Sequence, residues 1–526
     1  MASVQLYDTT LRDGAGREGI SFSVEDKLGI ARKLDDLGVH FIEGGWPVAN
    51  PKDAEFFVRA RDLKLANSTL VAFGSTRRPH TQPSRDRNLQ SLVKSGVRAA
   101  CIVGKAWDLQ ATQVLETTLE ENLAMISSSV AYLKSHGLQV FFDAEHFFDG
   151  YKSNPQYALK AVQAAAEAGA GCAVLCDTNG GTLPQEVGGV VEAVKGAVGI
   201  SLGIHAHNDG ELAVANTLAA VAAGATQVQG TINGYGERCG NANLCSIIGA
   251  LKLKMGIPCL TDKQMARLTE TSRYVSEIAN LAPDVYLPYV GASAFAHKAG
   301  LHVSAMMKWE ESYQHVDPGL VGNIKRVLVS ELSGRGNIIY KARERGLNLK
   351  LEPKEATRVL EELKVLESRG FQYDGAEASF ELLLHRAQPD YKPSFELVDF
   401  MVVVEKHRRQ PRAGTEEVLA EAMVKVKVGE ETVHTAAEGA GPVNALDSAL
   451  RKALLGFYPG LAVVDLVDYK VRILEGASGT GSQVRVLIES RDGDEDWRTV
   501  GSSANIIEAS WQALVDSLEY WLWKKG

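Results

Sequence analysis

The chain has 526 residues, of which 45% are hydrophobic and 23% are charged, and this length predicts two or three domains. Its formal net charge of −9 argues against a nucleic-acid partner, and no apolar run approaches the roughly 18 residues of a membrane helix. Because the amino terminus has no signal-peptide pattern, we expect a cytoplasmic protein without a membrane partner, and reduced cysteines.

Eight short apolar stretches, each followed by a turn and a helical pattern, occupy residues 4–256. We predict strands at 4–8, 39–43, 69–74, 97–103, 138–143, 172–176, 201–207 and 226–230. The first helix is predicted to begin after Ser23, a favoured N-cap, and to end at Gly38. Eight such units favour a closed (β/α)8 TIM barrel. An open doubly wound sheet is the alternative, but no GxGxxG motif follows the first strand.

The composition changes after the barrel. Helical patterns continue to about residue 370, and "QPDYKPSF" at 388–395 reads as a linker. Alternating apolar and polar residues beyond it predict an antiparallel α+β domain. We therefore predict a barrel domain at 1–260, helical linker subdomains at 261–388 and a C-terminal α+β domain at 389–526.

The C-terminal region contains a faint internal repeat. "ETVHTAAEGAGPVNALDSAL" and "RTVGSSANIIEASWQALVDSL" both run from Thr-Val through a small polar turn into a helix. We expect two related strand-and-helix units packed about a pseudo-twofold axis. The last helix has one apolar face, predicted to be core or subunit interface, made by Ile507, Trp511, Leu514, Val515, Leu518 and Leu522.

Polar side chains follow six of the eight predicted strands. In TIM barrels the active site lies at the carboxyl ends of the strands, so these residues are its candidates. They are Arg12, Asp13, Glu43, Asp143, Glu145, His146, Asp177, Thr178, Asn179, His205, His207, Asn208, Asp209 and the segment 233–241. Within that segment, Glu237 and Arg238 form either an internal ion pair or part of the catalytic machinery.

The "HAH" of "ISLGIHAHNDG" predicts a metal site. Residues two apart on a strand point the same way, about 6.6 Å apart, so His205 and His207 can reach one ion. Strands 1 and 7 are near neighbours in a closed barrel, which lets Asp13 supply an anionic ligand and Asn241 a neutral oxygen. Without a thiolate, Mg²⁺, Mn²⁺, Co²⁺ and Zn²⁺ are all admissible. The alternative is a pair of hydrogen-bonded core histidines.

Four motifs together carry a family resemblance. "LYDTTLRDGAGREG", "EGGWPVANPKD", "HAHND" and "NGYGERCGN", in this order, resemble the α-isopropylmalate synthase, homocitrate synthase and citramalate synthase family over the whole chain. The second motif and "DAEHFFDGYK" are most similar to the long citramalate synthases. The resemblance implies a metal-dependent acyltransferase that condenses acetyl-CoA with a 2-oxo acid, here pyruvate. The synthesis of 2-isopropylmalate or homocitrate, or an acyl-CoA lyase reaction, are the alternatives.

The resemblance also assigns roles within the barrel. It implies that Arg12 stabilises the oxygen that becomes negative, and that Glu43 positions Arg12. Thr178 is expected to bind the substrate carboxylate, and Glu145 to orient acetyl-CoA or relay a proton. One departure is "RDGAGREG", where many relatives have a glutamine soon after RDG.

Further roles are implied for the segment after the barrel and for the C-terminal domain. His302 in "HKAGLHVSAMM" is the expected base, with Tyr313 nearby, and both reach the active site of a neighbouring subunit in a homodimer. From the sequence alone, these two residues are ordinary helical packing. The C-terminal domain resembles the family's allosteric module, for which isoleucine is the expected effector. A regulator that binds an amino acid on an inactive barrel is the alternative from another class.

Overall fold

The computed structural model describes residues 3–297, 299–327, 353–373, 375–388, 391–405, 419–474, 481–493 and 495–525. The chain forms two compact units, Met1–Phe295 with Gln314–Lys325, and Ala296–Tyr313 with Arg326–Gly526. None of the helices in the described ranges combines the length and apolar character needed to span a bilayer. The predicted domain boundaries at residues 260 and 388 stay predictions, and residues 389 and 390 of the predicted linker lie outside the described ranges.

Eight parallel strands of the first unit close into a barrel. They follow one another in chain order, and β1 pairs with β8 to complete the ring. The strands are β1 Gln5–Asp8, β2 Phe41–Gly45, β3 Thr69–Ser75, β4 Ala99–Lys105, β5 Gln139–Glu145, β6 Cys172–Asp177, β7 Ser201–Ala206 and β8 Gln227–Gly230. The predicted TIM barrel is confirmed, and the open sheet is excluded.

Helices surround the barrel. They are α1 Val24–Leu37, α2 Pro51–Arg59, α3 Arg87–Lys94, α4 Leu119–Ser135, α5 Phe147–Ser153, α6 Pro155–Glu167, α7 Pro184–Ala197, α8 Ala213–Ala223 and α9 Leu244–Leu253. The ends of α1 are those predicted from the sequence. The Ser23 side chain accepts a hydrogen bond from the Asp26 backbone, and the Asp26 carboxylate accepts one from the Ser23 N–H. Gly38 ends the helix with a φ of 91°, in the left-handed region that glycine adopts without strain.

The barrel interior is a packed core. Tyr7, Phe41 and Phe141 meet inside it, with the ring centroids of Phe41 and Phe141 4.9 Å apart. A larger apolar layer lies between the strands and the helices, and includes Leu6, Ile42 and Phe142. Because the interior is filled, ligands can enter only where the strands end.

Several short elements follow the barrel. These are α10 Asp262–Met265, α11 Leu268–Ile278, β9 Ala296–His297, α12 Gly300–Lys308, β10 Arg326–Val327, α13 Pro353–Ser368 and α14 Glu377–Arg386. α10 and α11 belong to the first unit, and the rest to the second. In the second unit β9 and β10 pair in parallel.

The C-terminal region has the predicted α+β architecture and contains the repeat. β11 Glu396–Glu405, β12 Leu419–Val428 and β13 Glu431–Gly439 form one antiparallel sheet, followed by α15 Pro442–Leu454. β14 Asp465–Ile473, β15 Val484–Arg491 and β16 Asp496–Ser503 form another, followed by α16 Ile506–Lys525. Trp511, Leu514, Leu518 and Leu522 of α16 are buried within this unit, so most of the apolar face is core.

The small polar turn predicted inside each repeat is shorter than expected. After Thr-Val the chain continues as strand, to Gly439 in the first repeat and to Ser503 in the second, and only residues 440–441 and 504–505 separate the strand from the helix. The small residues have a packing role. A Cβ on Gly439 would lie 2.4 Å from the Ala445 nitrogen, and one on Gly501 would lie 2.0 Å from the Ala509 oxygen. Glycine is needed at both positions because the backbone of the following helix packs directly on the strand.

Candidate metal centre and active site

The candidate site gathers side chains from the ends of three adjacent strands. Arg12 and Asp13 lie in the turn after β1, and His205 is in β7. His207 follows the end of β7 and forms an isolated backbone bridge with Asn241, which lies in the loop after β8. β8 pairs with both β1 and β7, so these three strands bring all four predicted ligands to one end of the barrel.

The four predicted metal ligands lie close together. His205 Nε2 is 3.7 Å from Asp13 Oδ2 and 3.1 Å from Asn241 Nδ2. The ring centroids of His205 and His207 are 5.3 Å apart. The two rings are therefore neighbours at the end of β7, as their spacing in the sequence predicts.

Three of these residues carry a buried polar atom without a hydrogen-bond partner. These atoms are Asp13 Oδ2, His207 Nδ1 and Asn241 Oδ1. A buried polar atom without a partner is costly, and three of them on adjoining residues favour a bound ligand beside His205. A carboxylate, imidazoles and an amide oxygen suit a divalent cation, so the residues present fit the predicted metal.

The ligand set is not fully assembled. In the described part of the chain, no three His, Cys, Asp or Glu side chains form a ready-made metal-binding group. Asp13 is paired with Arg12, and Asn241 presents its amide nitrogen to His205. The oxygen and nitrogen of an amide exchange places by a half-turn of the side chain, which would direct Asn241 Oδ1 into the site.

Charge favours a cation at this position. Burial alone would raise the pKa of Asp13, but the positive charge of Arg12 lowers it below its usual value. Burial, with a smaller contribution from His205, lowers the pKa of His207 to about 4. At neutral pH the carboxylate is therefore ionised and the His207 ring is neutral, the two states that metal coordination requires.

Arg12 is held from three sides. It forms ion pairs with Asp13 and Glu43, and its guanidinium lies 3.8 Å from the ring centroid of Phe73. Glu43 also accepts a hydrogen bond of 2.6 Å from the Tyr7 hydroxyl. Burial raises the pKa of Glu43 to about 7, although the charge of Arg12 opposes the shift. Glu43 therefore contacts the Arg12 guanidinium directly, which is the contact that its predicted positioning role requires.

Glu145 and Thr178 lie at the ends of β5 and β6. Glu145 forms an ion pair with Lys105, the last residue of β4. The Thr178 hydroxyl accepts a hydrogen bond of 2.8 Å from the His146 backbone N–H. The Thr178 carbonyl accepts one of 2.7 Å from Arg238.

Arg238 forms its ion pair with Asp209. Two hydrogen bonds of 2.7 and 2.9 Å join the guanidinium to the Asp209 carboxylate. The ion pair between Glu237 and Arg238, one of the two predicted alternatives, is therefore wrong. The bond from Arg238 to Thr178 instead connects the loop after β8 with the loop after β6.

His302 and Tyr313 belong to the second unit, whereas the four predicted metal ligands belong to the first. His302 lies on α12, and Tyr313 in the turn that follows. Their rings stack with centroids 4.2 Å apart. The predicted base and its neighbour are therefore in contact with each other, and 41% of the Tyr313 surface is exposed.

Sequence reasoning missed two contributors to the site. One is Lys105, the last residue of β4, which lies two positions beyond the end of the predicted strand at 97–103. Gln229 on β8 is fully buried and contacts His205. The signal in the sequence was the alternation of "TQVQG", which turns Gln227 and Gln229 to the same side of the strand.

Comparison with known families agrees with this geometry. The HMGL-like family model matches residues 3–275, and the model of the homocitrate synthase post-HMGL domain matches residues 289–370. The model of the LeuA allosteric (dimerisation) domain matches residues 374–522. The chain is a barrel enzyme that belongs to the HMGL-like family.

Close relatives extend over nearly the whole chain. A protein of Geobacter sulfurreducens is 54% identical, covering 100% of this chain and 98% of its own length. A Synechocystis protein is 52% identical, covering 99% and 96%, and an Aquifex aeolicus protein is 52% identical, covering 99% and 98%. All three are named (R)-citramalate synthase.

Proposed function

We propose that this chain catalyses the condensation of acetyl-CoA with pyruvate and water to give (R)-citramalate and CoA. The observation that carries the proposal is the set of buried, unpartnered atoms of Asp13, His207 and Asn241 around His205. Relatives that are 52–54% identical and named (R)-citramalate synthase support this substrate choice over the alternative synthases and the lyase. The reaction fits the first step of a threonine-independent route to isoleucine in the cytoplasm.

Asp13, His205, His207 and Asn241 would hold the metal ion. When bound, a divalent cation supplies a Lewis acid that polarises the ketone of the 2-oxo acid. Arg12, whose charge is permanent, lies beside Asp13 and would stabilise the ketone oxygen as it becomes negative. Glu43 and Tyr7 would keep the guanidinium in place. Thr178 would bind the carboxylate of the 2-oxo acid.

A base must remove a proton from the acetyl methyl group of acetyl-CoA. We assign this step to His302, with Tyr313 stacked on its ring, acting on the barrel of a partner subunit. The resulting enolate carbon attacks the ketone carbon, and the ketone oxygen takes up a proton. Water then cleaves the thioester, which releases CoA and leaves the second carboxylate of the product. Glu145, paired with Lys105, would orient acetyl-CoA or relay a proton.

The test is release of CoA that depends on both acetyl-CoA and pyruvate. His205→Ala and Asp13→Ala are expected to lose it by at least 10³-fold while remaining folded, because they remove the Lewis acid. His136→Ala, an exposed histidine on the surface of the barrel unit, is the matched control. Unchanged turnover in His205→Ala would refute the metal assignment.

Substrate choice needs a separate comparison. A hydrophobic pocket separates a methyl from an isopropyl group by only about 1–3 kcal/mol per methylene. We expect kcat/KM for pyruvate to exceed the values for 2-oxoisovalerate and 2-oxoglutarate. A preference for either of those acids would identify one of the alternative synthases, and thioester cleavage without a 2-oxo acid would identify a lyase.

The C-terminal domain provides a cavity for the proposed effector, isoleucine. The cavity is about 640 Å³ and lies between α15 and β14, with apolar walls that include Leu461 and Leu466. Asp447 lines it and is joined to Arg451 by hydrogen bonds of 2.9 and 3.0 Å. A carboxylate beside a guanidinium suits the ammonium and carboxylate of an amino acid. Calorimetric titration with isoleucine, valine and leucine tests this, and Asp447→Asn is expected to weaken binding at least tenfold.

A further inference from the structure

A buried glutamine connects the candidate metal site to a second carboxylate. Gln229 lies on β8, is fully buried, and is the register partner of His205 on β7. Its Oε1 lies 2.9 Å from His205 Nδ1, and its Nε2 donates to Asp143 Oδ1 at 3.2 Å. Asp143, on β5, is 3% exposed. The glutamine therefore spans the barrel interior between the histidine and the acid.

The carboxylate determines which way the amide points. Gln229 donates from its Nε2 to Asp143 Oδ1, and a carboxyl oxygen that accepts this bond selects the NH₂ end of the amide. The oxygen end must then face His205. An amide oxygen only accepts, so His205 Nδ1 must carry the proton.

The other ring nitrogen of His205 is consequently left as an acceptor. His205 Nε2 lies 3.7 Å from Asp13 Oδ2 and receives the Asn241 amide at 3.1 Å. In this tautomer the Nε2 lone pair accepts from the Asn241 amide nitrogen. A half-turn of the Asn241 amide would free that lone pair for a cation.

We propose that Asp143 and Gln229 are positioning residues, which hold His205 in the tautomer and orientation that bind the catalytic cation. The inference rests on the proposed function, because it presupposes that His205 is a metal ligand. It extends the site by two residues that touch neither the cation nor the substrate. Hydrogen bonds of this kind raise the basicity of a ligand and lower the cost of ordering it.

The experiment measures Mn²⁺ binding directly, by electron paramagnetic resonance of the free ion. Gln229→Met keeps the volume and removes both hydrogen bonds, and its Kd for Mn²⁺ is expected to rise 10- to 100-fold. Gln227→Met is the matched control. Gln227 is buried on the same side of the same strand, and its amide has no hydrogen-bond partner, so its Kd should match that of the unmodified protein.

Exchanging the charge between residues 229 and 143 distinguishes a positioning role of Gln229 from a packing role. Gln229→Glu places two carboxylates together and should weaken Mn²⁺ binding. Adding Asp143→Asn restores a donor–acceptor pair, because the new amide donates to the new carboxylate, which still accepts from His205. The double variant should recover the Mn²⁺ affinity to within about threefold of the unmodified protein, whereas a packing role predicts no recovery.

Two outcomes would overturn the inference. One is an unchanged Kd in Gln229→Met, with thermal unfolding confirming a folded protein. The other is failure of the double variant to bind better than Gln229→Glu, which decides the question even if Gln229→Met does not fold. Failure of the proposed function is a different result, namely an unmodified protein that binds Mn²⁺ yet releases no CoA with pyruvate.

Discussion

At the scale of single residues, the candidate site is marked by buried polar atoms that have no hydrogen-bond partner. Burying a polar atom without a hydrogen bond costs about 1–3 kcal/mol, and Asp13, His207 and Asn241 each carry one such atom. The rest of the fold must offset this cost. A bound cation would give the Asp13 oxygen a partner and, after a half-turn of the amide, the Asn241 oxygen as well, so binding should stabilise the barrel unit.

Gly236 provides a test at this scale. A Cβ on Gly236 would lie 1.9 Å from Asn241 Oδ1, so Gly236→Ala must displace the Asn241 amide. The Kd for Mn²⁺ should rise about tenfold. Gly181→Ala is the matched control, because nothing lies within 4 Å of its added carbon. Equal Mn²⁺ affinities in the two variants would show that Asn241 contributes nothing to the site.

The sequence predicted the candidate metal ligands, and it also indicated Glu43 and Asp143 as site residues. It did not predict Gln229, which contacts both His205 and Asp143. Asp13, His205 and His207 could be found because each follows a recognisable strand, and side chains two apart on a strand share a side. Gln229 and Asp143 act through a hydrogen bond across the barrel interior. The sequence reports which side of its own strand a residue faces, but not which atom on another strand it meets.

At the scale of elements, the end of β1 carries a buried acid. Asp8 is fully buried, and both of its oxygens accept hydrogen bonds from Thr10, at 2.9 and 2.7 Å. Burial raises its pKa from 3.8 to about 7, although the bonds from Thr10 lower it. The folded state therefore favours the protonated acid.

A pH dependence of stability follows from Asp8. The stability that protonated Asp8 contributes is fully present below the pKa of this carboxyl in the unfolded chain. It is lost as the pH rises through about 7, the pKa in the folded state. Asp8→Asn has no such loss. Its free energy of unfolding, relative to the unmodified protein, should rise by about 3 kcal/mol between pH 5 and pH 8. Urea denaturation at several pH values measures this difference.

The control for that series is Asp62→Asn, at an exposed position. Its difference in unfolding free energy should stay constant with pH. If the Asp8→Asn difference is also constant, Asp8 has an ordinary pKa, and burial does not govern its ionisation.

The type of each element was easier to predict from the sequence than the residue at which it ends. The strands of the barrel repeat often enough to indicate closure, and the capping of α1 is local, so both were right. The strand ends at Gly439 and Ser503 were missed because small residues usually mark turns. Here they are required by the close approach of a helix backbone, a tertiary contact that a local pattern does not contain.

At the scale of the whole molecule, the proposed chemistry is divided between two units of the chain. Arg12 and the metal ligands belong to the barrel unit, and His302 belongs to the other. The proposed dimer would assemble each active site from two subunits. Such an arrangement makes dimerisation a condition of activity.

Mixing two inactive variants tests the shared site. Arg12→Ala lacks the guanidinium, and His302→Ala lacks the proposed base. If each base serves the partner subunit's barrel, a mixed dimer contains one intact site and one with both defects. Equal mixing after subunit exchange should then restore about a quarter of the CoA release of the unmodified protein.

The same mixture has a clear negative outcome. If His302 serves its own barrel, no mixed dimer contains an intact site, and activity stays at the level of the separate variants. If His302 is not the base, His302→Ala is already active before mixing. Size-exclusion chromatography with differently tagged subunits confirms that exchange took place.

The accessibility of the thiols has a practical consequence. Cys239 is exposed, while the other five cysteines, all within the described residues, are buried. Burial raises the pKa of Cys101, Cys172 and Cys176 well above the usual thiol value. A mild alkylating dye should therefore label one position per native chain, two residues before Asn241. A fluorophore attached there would report, without any mutation, the arrival of ions and substrates at the mouth of the barrel.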